Sequence, residues 1–232
     1  MTATSSSDAF AAASAAMVHG VDAASTVHVL VADCLSLLAA DTAGILVRLA
    51  DNDLELLVAS SHRATELELH QAHARSGPCF DAVKTGYAIH AVGDEIADRW
   101  PDFATTMYGA GFHAVHAMPL RWRSRILGGL NLFWTEPERL DEERIRTAQA
   151  FADICSLAIM QSPEASDLGA FDERLRAALE GRVVIERAKG VLSELHDLDM
   201  AESFQRLIEL SEAAEEPLAE TASRIVEQTY TS

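Results

Sequence analysis

Apolar residues recur at helical spacing across residues 22–40, where Val27, Leu30, Val31, Cys34, Leu37 and Leu38 share one side of a 3.6-residue repeat. The pattern then changes. "AGILVRLA" and "LELLVAS" are short apolar runs separated by Asp51, Asn52 and Asp53, which predicts a β-hairpin. "ATELELHQAHA" predicts a helix, "RSGPCF" a loop and "YAIHAV" a short strand. "RWPDFATTMYGAG" predicts a turn and a short helix, and "HAVHAMPL" and "RILGGLNLFW" a second hairpin about "RWRS". Helical periodicity returns from Asp141 to Met160, with Ile145, Ala148, Phe151, Ala152, Cys155, Ala158 and Ile159 in phase. "QSPEASDLG", with Pro163 and Gly169, interrupts it.

Residues 170–232 read as three helices. The first, about Phe171 to Leu195, changes its apolar side part-way along. Leu168, Phe171, Leu175 and Leu179 share one face, while Val184, Ala188, Val191 and Leu195 share a roughly opposite one. The front half therefore needs a partner other than the bundle, either the helix ending at Met160 or a second subunit. The second helix opens on Asp199 and Glu202, a capping box, and presents Met200, Ser203, Phe204, Leu207 and Leu210. The third opens on Pro217 and presents Leu218, Ala222, Ile225 and Val226. The fold class expected is α+β: an antiparallel sheet domain flanked by helices over residues 21–162, a linker at 163–169, and an all-α three-helix bundle over 170–232. Residues 1–20 form an extension, helical in part, with the polar residues 1–7 disordered.

Composition narrows the function classes. The net charge of −18 and pI of about 4.7 argue against indiscriminate nucleic-acid or membrane binding. No apolar run reaches membrane-spanning length, the N-terminus does not read as a secretory signal, and three widely separated cysteines fit a reducing cytoplasm. No catalytic triad, phosphate loop or metal-ligand spacing emerges, so neither a catalytic residue nor a metal site is expected, and no cofactor can be named. Four of the nine histidines form pairs three residues apart, His70 with His73 and His113 with His116, but no third ligand accompanies either pair.

Within the first C-terminal helix, "RVVIERAKGVL" raises a question. Gly190 lies inside the helix, where glycine costs about 1 kcal/mol against alanine. A close neighbouring helix would account for it. Arg182 and Lys189, seven residues apart, share one side, which is expected to be exposed. This segment, followed by "MAESFQRLIEL" and "PLAETASRIVEQ", resembles the ANTAR domain, a three-helix RNA-binding antitermination module. The earlier region, through "DTAGILV", "SGPCFDAVKTG", "DRWPDFA", "GFHAVHAMPLR" and "LGGLNLF", resembles a GAF sensor domain of the kind fused to ANTAR in actinobacteria. The resemblance implies a regulator that works as a homodimer. Its GAF domain would sense a small ligand or a protein, and its paired ANTAR modules would bind paired RNA hairpin loops in nascent transcripts and so prevent a terminator from forming. Arg182, Lys189 and Gly190 are the positions matching the family's RNA contacts.

Cys79, Phe80, Trp100, Phe103, Met107 and Tyr108 are candidates to line the sensor pocket, Cys79 with a possible redox chemistry. Two departures from the family, Ser193 and Ser203, set hydroxyls near a small core. The acidic run Glu212, Glu215 and Glu216 would repel a phosphate path, and residues 170–232 carry 7 Lys/Arg against 14 Asp/Glu, a net of −7. These acids favour an alternative: a ligand-responsive protein-interaction module whose helices have lost RNA binding. A helix-turn-helix reading is weaker, because its recognition helix would hold Arg224 as its one cation.

Overall fold

Several helices begin where a side chain satisfies free backbone N–H groups. The computed structural model describes residues 3–49, 53–160, 168–214, 216 and 218–230, without the side chains of 168–172, 201 and 230. Helix α1 (Ser6–Val18) is capped by Ser5 and α2 (Ala23–Leu38) by Asp22, whose carboxylate accepts from the Ser25 N–H at 2.9 Å. The N-terminal segment expected to be disordered is ordered from Ala3, whose N–H donates to the buried Asp33 carboxylate at 2.8 Å.

Strands β1 (Thr42–Arg48) and β2 (Leu54–Ala59) form the first hairpin; Asp51 and Asn52 of its turn lie outside the described residues. Helices α3 (His62–Ala74) and α4 (Pro78–Thr85) follow. Part of the expected loop "RSGPCF" is thus helix, because Pro78 at the first position surrenders no hydrogen bond and presets φ. Then come β3 (Ile89–Val92), α5 (Asp94–Arg99), α6 (Pro101–Gly109), and the second hairpin of β4 (Ala114–Trp122) and β5 (Arg125–Trp134). The five strands form one antiparallel sheet in the order β2-β1-β5-β4-β3.

Alternation within the strands divides two buried faces. Ala43, Ile45 and Val47 of β1, with Leu130, Leu132 and Trp134 of β5, pack beneath α2 and α7 (Glu142–Ile159). Gly44, Asn131, Val115 and Phe133 point the other way, towards α3 to α6. Both faces are covered, so the central strands read as nearly continuous apolar runs.

Helices α8 (Leu168–His196), α9 (Met200–Ala214) and α10 (Leu218–Tyr230) make the C-terminal bundle. Helix α8 starts inside the expected linker, and residues 161–167 lie outside the described residues. The capping box forms as expected: the Glu202 N–H donates to Asp199 at 2.8 Å, and the Asp199 N–H to Glu202 at 2.9 Å. Pro217 lies outside the described residues.

The two halves of α8 do bury opposite partners. Leu175 and Ala178 are buried in the sheet-domain core beside Ile159 and Met160, with Leu179 packed against it. These side chains therefore have their partner within one chain, so the dimer interface expected there loses that motive; the Phe171 side chain lies outside the described residues. Arg174, also buried, donates to the Met160 carbonyl at 3.3 Å, close to the end of α7. In the back half, the bundle core takes Ile185, Ala188 and Leu192, with Val184 partly buried, while Leu195 is exposed. Ser193 and Ser203 do not leave polar atoms stranded, because each hydroxyl donates to a carbonyl at 2.7 Å, of Leu198 and Asp199 respectively. Among the described residues no helix is long and apolar enough to cross a membrane.

Candidate functional site

The back half of α8 carries two adjacent faces. Arg182, Glu186 and Lys189, at i, i+4 and i+7, lie on one. Val183, Arg187, Gly190 and Glu194 lie about 100° round, and all four are exposed. The first face was expected to be open to solvent, and it is not. It turns towards the sheet domain, where α2 and β2 cover it.

Lys189 is only 4% exposed. Its Nζ donates to both oxygens of Glu186, at 2.9 and 3.1 Å, and lies 5.8 Å from the centroid of the Phe204 ring. Glu186 reaches on towards α2, with Oε1 3.7 Å from Nε2 of buried His28. Burial would raise the Glu186 carboxyl, but His28 and the Lys189 ammonium outweigh it and hold the group at about 2. His28 Nδ1–H donates to the Ala24 carbonyl, 2.8 Å away, and its ring meets Phe204 at 5.4 Å. Arg182 is half-buried and donates to the Leu56 carbonyl of β2 at 2.7 Å. Burial lowers its guanidinium from the ordinary range, opposed by the charges of Glu186 and Glu55.

Gly190 is the reverse of what helix packing would require. It is exposed, and a Cβ built there meets no atom within 4 Å among the described residues. The close-approach glycine in α8 is instead Gly181, where an added Cβ would come within 2.8 Å of the Ala24 Cβ. Overpacking is therefore not the result of filling position 190. Gly190→Ala is expected to raise stability by about 0.5–1 kcal/mol, as for any exposed helix interior. Urea denaturation checks this, and a loss of stability would show that the position is packed after all.

The acidic run is partly neutralised. Glu216 accepts from Arg224 Nε and Nη2 at 3.2 and 3.0 Å, which also occupies the one cation of the would-be recognition helix. Glu212 is exposed, and Glu215 lies outside the described residues.

In the sheet domain, the six residues expected around one pocket fall into two separate clusters. Cys79 is buried and Phe80 partly buried with Leu46, Leu56 and Val83. Trp100, Phe103 and Met107 are buried with Phe112 and Phe133, with Tyr108 at their edge. A further site went unforeseen. Glu68 of α3 is fully buried, and both its oxygens accept from Asn131 Nδ2 at 2.8 Å. Gln71 Nε2 adds a bond at 3.3 Å, and Gln71 Oε1 in turn takes the Cys79 N–H at 2.8 Å. Gly44 makes room, since a Cβ there would meet Glu68 at 2.5 Å. Burial, countered only in part by Asn131, pushes the Glu68 carboxyl up to about 8. Burial and the nearby Glu68 charge push the Cys79 thiol well above its ordinary range, which leaves it protonated and a poor nucleophile. The helical pattern of "ATELELHQAHA" contains Glu68 and Gln71, but nothing in it distinguishes a buried carboxyl from an exposed one.

His116 is buried with neither ring nitrogen bonded, 5.4 Å from His90, and burial lowers it to about 4. His113 faces outward, as strand alternation requires. Among the described residues no group of three potential ligands could hold a metal ion.

Comparison with known proteins places these features. The family model for the GAF domain matches residues 21–160, and that for the ANTAR domain matches residues 173–226. No curated protein matches the chain. Among solved structures, the GAF domain of an Acinetobacter phosphoenolpyruvate-protein phosphotransferase superposes with a TM-score of 0.53 at 12% identity, over 72% of this chain and 99% of that one. The phycocyanobilin-bound GAF domain of a cyanobacterial phytochrome gives 0.53 at 14% identity, over 71% and 98%. The GAF domain of a phosphoenolpyruvate-protein phosphotransferase from Coxiella burnetii gives 0.51 at 13% identity, over 66% and 92%. At these identities the likeness is one of fold.

Proposed function

This chain belongs to the GAF family and carries an ANTAR domain behind its sensor fold, and from this we propose that it is a non-enzymatic, cytoplasmic antitermination regulator. Its ANTAR domain binds paired RNA hairpin loops in nascent transcripts under control of the GAF domain. The observation that carries the RNA reading, beside the family match, is Gly190. It sits in a helix interior at a cost of about 1 kcal/mol, and the described residues make no use of its missing side chain. A surface that must admit another molecule's backbone gives the glycine a purpose. Arg182 and Lys189, one face round, supply the phosphate charge, and RNA loops supply unstacked bases. Two hairpins call for two modules, so the working form is a homodimer. The input is a small ligand or a protein at the GAF domain.

The test is a titration of the full chain against RNA with one hairpin and with two in tandem, across a series of salt concentrations. The two-hairpin RNA is expected to bind more tightly, and Gly190→Ala to weaken that binding while it stabilises the fold. Equal and negligible binding to both RNAs would leave the interaction-module reading in its place. One observation favours that second reading: both cations are engaged within the chain.

A further inference from the structure

The seam between the two domains holds the residues on which the RNA reading depends. On that reading, we infer that the GAF domain is itself the competitor of RNA: it seats α8 with Arg182 and Lys189 turned inward, and RNA binds when the ANTAR bundle lifts off that seat. The guanidinium of Arg182 is spent on a backbone carbonyl of β2, and the ammonium of Lys189 on Glu186 beneath α2. While the seat is closed Lys189 is buried out of a phosphate's reach, and the half-buried Arg182 is held on β2. The seat is specific. The Ala24 side chain belongs to the buried bundle core, Gly181 leaves room for it, and the Ala219 N–H donates to the Ser25 hydroxyl at 3.1 Å.

The same seam is poorly filled, which makes it separable. A cavity of about 160 Å³ lies between His28, Val31, Ser60, Lys189 and Phe204. On the other side of the Ala24–Gly181 contact, a cleft of about 400 Å³ runs along Ala158, Ala177, Ala178 and Ala219. His28 Nε2 has no partner closer than Glu186 Oε1 at 3.7 Å, beyond ordinary hydrogen-bond distance. Voids and a long, poorly formed polar contact lower the free energy lost on opening. Small residues, Ala24, Ala177, Ala178, Gly181 and Ala219, line the part of the contact beside the cleft. On this inference a signal at the GAF domain acts by shifting the populations of the two arrangements.

The experiment locks and unlocks the full chain. Ala24→Cys with Gly181→Cys places two thiols across the seam, where the added Cβ starts 2.8 Å from its neighbour, so the two helices must part by about 1 Å to take an ordinary disulfide; the native Cys34, Cys79 and Cys155 are all buried. The probe is a labelled tandem-hairpin RNA drawn from transcripts that crosslink to the protein in cells. The oxidised double variant is expected to bind it at least about tenfold more weakly than the same protein after reduction. Ala24→Arg, which forces bulk between α2 and α8, and His28→Ala, which only removes a ring, are expected to bind several-fold more tightly than the parent. Equal affinity for the oxidised and reduced forms, or openers that bind no better than the parent, overturns the inference while leaving the RNA reading intact. Absence of binding by the parent, the reduced form and both openers overturns the RNA reading and this inference with it.

Discussion

Glu68→Gln is expected to be more stable than the parent at pH 8 and to lose that advantage at pH 5. The Glu68 carboxyl titrates near 8 in the folded protein because it is fully buried. In the unfolded chain it titrates near 4.5. Below that lower value the group is protonated in both states and the folded form carries no penalty. Between the two values the folded protein holds a proton that unfolding releases, so stability falls as pH rises, by about 1.4 kcal/mol per unit. Above the upper value the full penalty of a buried carboxylate is present. Glutamine keeps the shape without the charge, and Asn131 Oδ1, unpartnered in the parent, can accept from its amide once the amides turn. The gap between the two proteins is expected to widen by a few kcal/mol from pH 5 to pH 8. Urea titrations at the two pH values read this directly; parallel curves would mean that Glu68 is solvated.

Lys189→Ala is expected to destabilise the fold by about 2 kcal/mol, far more than loss of an exposed lysine would. Its ammonium is buried against Glu186, and removing it leaves a partly buried carboxylate with His28 and the more distant charge of Arg182. Adding Glu186→Gln to Lys189→Ala is expected to restore part of the loss, since no charge is then left unpaired. A change of less than about 0.5 kcal/mol on Lys189→Ala alone would show that the seam does not hold the lysine in solution.

These two residues mark where sequence reading stopped. Periodicity located the hairpins, α2, α7 and the three C-terminal helices, because each buries a stripe whose spacing is set locally. It even located the switch of sides along α8, which the structure resolves into Leu175 against the sheet domain and Ile185 within the bundle. What it could not provide was which polar residues tertiary packing would bury. Lys189 looks like any helix-surface cation until α2 covers it, and Glu68 like any helix-surface acid until Gly44 and Asn131 lie beneath it. The same limit put the close helix approach at Gly190, whereas it falls at Gly181. Gly181 and Gly190 are equally out of place in a helix, and only the approach of Ala24 tells them apart. The division of the six sensor candidates between two clusters was hidden for a related reason. Aromatic and sulfur side chains near Trp100 suit a pocket wall and a packed core alike, and the sequence carries no measure of empty space.

The account turns on whether this protein meets RNA in the cell. Crosslinking the full chain to RNA in living cells, followed by sequencing of what is bound, asks that without choosing a target beforehand. The expected result is enrichment of short transcript segments that hold two adjacent hairpins ahead of a terminator, reduced when Gly190 is replaced by alanine. Recovery of no RNA above an uncrosslinked control would contradict the account and leave the C-terminal helices as a surface for protein partners.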